Sequence, residues 1–224
     1  YPMEQLSRIG ADARVAIQGL GLSAHDVIAE LTVGRGGEFV AGPEGLRYLP
    51  SGREPQLTLC SRNCLPYAAR GVNQKGLDGR HQARHFTVDA VEALRRQALI
   101  ARGSSQLDFD RELLPLLKRE IADAYRAAAA ASASRAASAA GPGGAAALDE
   151  DALLADLLFP LQDRQFASLA EFRRYFRDWL QADLAEARRG NLASPTKAAT
   201  DVLRDVRATL QSAIEHGGLT PTSH

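Results

Sequence analysis

The spacing of apolar positions changes character at Phe86. Before it, apolar residues cluster in short runs separated by glycine, proline and polar stretches. After it, they recur every three or four positions, the period of an amphipathic helix. Arg14-Val15-Ala16-Ile17-Gln18 is one such short run, bounded by turn residues, and reads as a buried parallel strand. A glycine-rich turn follows, then Ala24 to Thr32 with Val27, Ile28 and Leu31 at helical spacing, and Gly34-Arg35-Gly36-Gly37 ends that helix. Residues 34–55 read as an insertion, with Phe39-Val40 and Leu46 to Leu49 as the short strands of a hairpin. Gln56 to Arg62 then predicts a second core strand. The stretch from Asn63 to Phe86 is irregular and rich in Gly, Arg, Gln and His. Irregular stretches of that length are uncommon and often functional.

Beyond Phe86 the helices follow one another. Thr87 caps one with Val91, Leu94 and Ala98 on a face. A second starts near Asp108 or Asp110 and carries Leu113, Leu114, Leu117 and Ile121. Pro115 belongs in or near its first turn, where a missing N–H costs nothing. Residues 127–147 are Ala/Ser/Gly-rich and predict a linker, with Gly141-Pro142-Gly143-Gly144 excluding helix. Leu153, Leu154, Leu157, Leu158 and Leu161 form another stripe. Ser168-Leu-Ala-Glu171 is a capping box for a helix bearing Leu169, Phe172, Phe176, Trp179, Leu180 and Leu184. Ser194-Pro195 starts a last helix with Val202, Leu203, Val206, Leu210 and Ile214, ending at Gly217-Gly218. The predicted fold class is therefore α/β: a Rossmann-like parallel-sheet portion at 1–86, then a helical region at 87–224.

Composition narrows the function. The chain has 224 residues, 45% hydrophobic and 24% charged, enough for one sizeable core or two small ones. Its 27 basic residues balance 27 acidic ones, so no bulk field favours nucleic acid or an anionic membrane. No apolar run approaches the ~20 residues needed to span a bilayer. No secretory leader is evident, and the expected compartment is the cytoplasm. Cys60 and Cys64 fit neither a redox pair nor half of a usual zinc site, and read as free structural thiols. The chain's ends suggest a segment of a longer protein.

The residues that carry chemistry lie in the glycine turn Gly19-Leu20-Gly21-Leu22-Ser23-Ala24, between the first strand and the first helix. Gly19 permits the tight turn and Gly21 admits a pyrophosphate close to the backbone. Ala24 is small enough for helix and strand to pack, and the helix N-terminus faces the phosphates. The second strand ends in Cys60-Ser61-Arg62, with no acidic residue to hold a ribose 2′-hydroxyl. Serine plus arginine suits the 2′-phosphate of NADP instead. A methyltransferase would also supply an acid there, so that alternative is disfavoured. His81-x-x-x-His85 lacks a third ligand, and no metal site is expected. Arg53, Arg70, Lys75, Arg80, His81, Arg84 and His85 crowd the irregular segments and are candidates for phosphate or an acidic substrate. No catalytic residue is identified.

Ala13 to Thr32 resembles the second nucleotide-binding motif of bacterial FAD/NAD(P)-binding proteins, relatives of flavin-containing and N-hydroxylating monooxygenases. The resemblance extends through Tyr48 to Pro55, Ser61 to Gly76, Gly190-Asn-Leu-Ala-Ser-Pro-Thr-Lys197 and the terminal Gly-Gly-Leu-Thr-Pro-Thr-Ser-His. It implies an FAD- and NADPH-dependent oxidoreductase acting on a small molecule. In it Gly19, Gly21 and Ala24 match the nicotinamide-cofactor motif, and Ser61 and Arg62 the strand end of NADPH users. It also implies that FAD sits on a separate domain of the same full-length chain. The long insertion and the helical half depart from simple monooxygenases. A non-catalytic Rossmann-like or helical interaction module is the alternative reading.

Overall fold

The computed structural model describes residues 3–43, 45–76, 79–136, 148–162, 164–216 and 218–221. The Gly141 to Gly144 breaker, Gly217 and the last three residues lie outside them. Two compact units divide at Ala68–Ala69.

In the first unit a short 3₁₀ helix, Met3–Arg8, precedes strand β1 (Arg14–Gln18) and helix α1 (Leu22–Leu31). Strands β2 (Glu38–Gly42) and β3 (Gly45–Leu49) follow, then β4 (Gln56–Cys60). β1 and β4 are parallel and in register from Arg14 opposite Gln56 to Gln18 opposite Cys60. Helix α1 is thus the crossover of a βαβ unit. β2 and β3 form an antiparallel hairpin in which Phe39 stands opposite Tyr48, ring centroids 5.1 Å apart. Tyr48 Oη donates to Glu54 Oε1 at 2.7 Å, and Glu54 also accepts from the amides of Ser51 and Gly52. The hairpin is thereby tied to the segment that leads into β4.

The strands are less buried than their composition predicts. Ile17 is the buried residue of β1, while most of β4 is exposed, Leu59 included. A parallel sheet is normally covered on both faces by its crossover helices. Among the described residues this one has two strands and one such helix. The structure therefore shows a mixed helix and strand fold with a small parallel sheet.

The second unit is helical: α2 (Val88–Arg102), α3 (Leu114–Ala136), α4 (Glu150–Leu158), α5 (Leu169–Arg189), α6 (Pro195–Asp205) and α7 (Arg207–Glu215). Its core gathers Phe86, Val91, Leu107, Leu113, Leu117 and Ile121 with Val202 and Val206. Thr87 Oγ1 caps α2 by accepting from Ala90 N at 3.1 Å. Pro115 is tolerated because a widened turn at Phe109–Leu113, capped by Asp108, leads into α3. α3 itself runs through the first part of the alanine-rich stretch as far as Ala136. Ser168 caps α5 through Glu171 N, while the Glu171 carboxylate accepts from Ala167 N, one residue earlier than a standard capping box.

The expected single helix from Ser194 to Gly217 is two. Val206, at φ −86° and ψ 0°, turns the chain between α6 and α7. Its N–H still bonds to Val202 O at 2.9 Å, so the apolar period runs unbroken through the bend. Spacing alone did not reveal it.

Candidate nucleotide-binding site

The glycine turn joins the C-terminal end of β1 to the N-terminus of α1. Gly19 adopts φ +93°, a conformation disfavoured for residues with a Cβ, and open space surrounds the position a Cβ would take. Its N–H donates to Cys60 O at 2.7 Å. That bond sets the turn against the end of β4, immediately before Ser61 and Arg62. Gly19 to Ala24 and Ser61-Arg62 therefore gather at one end of the parallel pair, where open α/β sheets bind their ligands.

Each position has an observable role. Gly21 is the N-cap of α1 and no side chain caps the helix start, where Ala24 N donates to Gly21 O at 3.1 Å. Ala24 is buried, and its smallness serves the packing of α1. Leu20 O accepts from Tyr67 N at 3.3 Å, while Leu22, 76% exposed, and Ser23 face outward on the first turn. Ser61 Oγ donates to Leu65 O at 3.3 Å, leaving its lone pairs available, and Arg62 is exposed. Tyr67 was not singled out from the sequence. Its ring lies 3.4 Å from where a Gly21 Cβ would sit, and it is itself 74% exposed. The turn thus offers a glycine main chain, covered at Gly21 by the Tyr67 ring, a helix start with no side-chain cap, and an exposed Arg62 two residues beyond β4. Cys60 and Cys64 are free and exposed rather than buried.

The irregular residues 69–86 belong to the second unit, and polar side chains hold them there. Asp183 Oδ2 accepts from Ala69 N at 2.5 Å, and its other oxygen pairs with the buried ammonium of Lys197. Asn191 Oδ1 accepts from Gln74 N at 2.9 Å, and its Nδ2 donates to Asp201 at 2.8 Å. Lys75 Nζ reaches Asp201 and Asp205 at 2.8 and 2.9 Å. Glu120, fully buried, accepts from His81 Nε2 at 2.5 Å and from the amides of Arg84, His85 and Phe86. His85 Nε2 bonds to Asp123 at 2.9 Å. Both histidines are thus engaged by carboxylates. Two stretches that resemble the monooxygenase relatives, up to Gly76 and Gly190 to Lys197, meet here: Asn191 N donates to Val72 O at 3.0 Å.

These contacts set the charges. Burial pushes the Glu120 carboxyl up, but His81 and the three amides outweigh it and hold it below the usual carboxylate range. Burial also opposes ionisation of Asp205, yet Lys75, His81 N and Arg204 bring it down to about 2. The Lys75 ammonium, disfavoured by burial, is held above its ordinary value by Asp201 and Asp205. Among the described residues no cluster of His, Cys, Asp and Glu has the makings of a metal site. Among the same residues no helix is long and apolar enough to cross a membrane.

Over nearly its whole length the chain is homologous to part of a class of N-monooxygenases. It is 40% identical to L-aspartate N-monooxygenase (nitrosuccinate-forming) of Streptomyces davaonensis, over 94% of this chain and 35% of that protein. Identity to the enzyme of the same name from Streptomyces cremeus is 38%, over 98% of this chain and 35% of the relative. Nitrosuccinic acid synthase of Aspergillus oryzae is 35% identical over 98% of this chain and 36% of its own length. The chain therefore spans about a third of these relatives, and one of them is fungal, so the likeness is not confined to bacteria. One family profile, described as PP1-regulatory protein, Phostensin N-terminal, matches residues 108–191. That span includes the alanine-rich stretch and leaves out the glycine turn.

Proposed function

We propose that this chain is the NADP(H)-binding segment of a flavin-dependent N-monooxygenase whose substrate is a small acidic amino acid such as L-aspartate. FAD is held by a domain outside the segment. The observation that carries the reading is the meeting of the glycine turn with the acid-free strand end Ser61-Arg62 on one parallel βαβ unit. The relatives' names supply the reaction class and the substrate.

In this reading Gly19 and Gly21 let the pyrophosphate approach the main chain, and the open N-terminus of α1 meets its charge. Ser61 and Arg62 take the 2′-phosphate, with the planar guanidinium suited to two of its oxygens. NADPH bound there supplies the hydride that reduces FAD. The further strands of a Rossmann sheet come from the rest of the full-length protein. Two free thiols suit a reducing compartment, and we place the protein in the cytoplasm.

The test is titration of the full-length, flavin-loaded protein with NADPH and NADH, following bleaching of flavin absorbance. NADPH should bleach it at lower concentration, and Arg62→Ala should weaken NADPH by about tenfold while changing NADH little. Bleaching by neither nucleotide would overturn the proposal. Equal losses for both would remove Arg62 from the 2′-phosphate.

A further inference from the structure

The second unit contains a cavity of about 450 Å³ that the nucleotide reading does not use. Its floor is the alanine face of α3, with Ala124, Ala127, Ala128 and Ala131 at helical spacing. Its roof is the irregular segment, which contributes Lys75, His81, Gln82 and Arg84. Asn191 and Leu192 close one side. The volume falls within the ~300–1,000 Å³ of small-molecule sites.

Hydrogen-bond accounting shows which lining groups still have capacity. Glu120 is spent on four donors. Lys75 gives two protons to Asp201 and Asp205 and keeps a third. Arg84 has its main chain anchored at Glu120, but its guanidinium has no carboxylate partner among the described residues. Gln82 lies beside it. On the rim, Asp123 keeps lone pairs beyond those used by His85 and Arg126. The irregular segment thus supplies donors with capacity and α3 supplies a carboxylate. That division matches a zwitterion with surplus negative charge.

We propose that this cavity binds a small dicarboxylic amino acid, with Arg84 and the third Lys75 proton on its carboxylates and Asp123 facing its ammonium. This rests on the acidic-substrate reading above, and it assigns that substrate's binding to residues of this chain. The alanine run of α3 then has a purpose: any larger side chain on that face would fill the space.

Equilibrium dialysis of the flavin-loaded, full-length protein with radiolabelled L-aspartate, succinate and L-asparagine tests it. L-Aspartate should bind at least tenfold more tightly than L-asparagine, which lacks one carboxylate. Arg84→Ala should weaken L-aspartate by about tenfold, with partial rescue in Arg84→Lys. Ala127→Phe, placed at an exposed position on the floor, should abolish binding by filling the cavity. Circular dichroism checks that each variant is folded. Wild-type affinity in both Arg84→Ala and Ala127→Phe, or no L-aspartate binding at all, would overturn the assignment. Flavin bleaching by NADPH, measured separately, tells this failure from failure of the nucleotide reading.

Discussion

Replacing Glu120 offers the sharpest test of how residues 81–86 are held. The carboxylate is buried and accepts from one imidazole and three main-chain amides, at 2.5 Å from His81 and 2.7 to 3.1 Å from residues 84 to 86. Glu120→Ala strands those donors. Each buried donor left unsatisfied costs roughly 1–3 kcal/mol, and water entering the new space recovers part of that. A loss of roughly 3–5 kcal/mol is expected, the sum over the stranded donors less what water recovers. That is a large share of the ~5–15 kcal/mol that holds a typical domain together. Glu120→Gln should cost only about 1–2 kcal/mol, because one oxygen still serves the amides and the new NH₂ group can donate to a neutral His81. Urea unfolding measures the totals, and hydrogen exchange at Arg84, His85 and Phe86 reports the site. If Glu120→Ala lost under 1 kcal/mol with those amides still protected, the carboxylate would not be what orders the segment.

Four further outcomes follow from the same geometry. Asp205 is held at about 2, against an ordinary 3.8, so its stabilisation is complete above about pH 4 and is lost as the pH falls through 2. The shift corresponds to about 2 kcal/mol. The stability difference between wild type and Asp205→Asn, from urea unfolding at pH 6 and at pH 2.5, should therefore shrink at the lower pH; a constant difference would refute it. Gly19→Ala should destabilise the first unit by roughly 1–2 kcal/mol through its positive φ. Gly21→Ala, at φ −79°, should leave stability nearly intact while weakening NADPH by about tenfold or more, read by thermal melts and nucleotide titration. Ser168→Ala should cost about 1 kcal/mol through loss of the α5 cap, measurable by thermal melting.

Much of the local structure was legible because it depends on short-range rules. The glycines after Gln18, the threonine before Val88 and the serines before Leu169 and Pro195 each mark an element boundary by local chemistry. The network around residues 69–86 was not legible in that way, since a periodicity argument follows apolar positions and these contacts are polar. A signal nevertheless existed. Glu120 stands among Leu117 and Ile121 on the buried face of α3, and Asp201 stands beside Val202 and three residues from Ala198 on α6. A charge at a core-facing position demands a partner. Naming that partner required the tertiary structure. Tyr67 gave no signal, because its place over Gly21 depends on how the chain turns after β4.

The same network bears on the order of folding. Its hydrogen bonds join Ala69 to Asp183, Gln74 to Asn191 and Lys75 to Asp205, separations of 114, 117 and 130 positions. Closing loops of that length before their partners are fixed gives entropy away with little immediate return. α5 and α6 must already be in place, so residues 69–76 should dock after the transition state. Weakening that docking, for instance with Asn191→Ala, is then expected to speed unfolding while leaving the refolding rate nearly unchanged. In stopped-flow measurements the folding arm of the chevron should stay in place as the unfolding arm rises. The stretch would be the last to join the helices and the first to leave them.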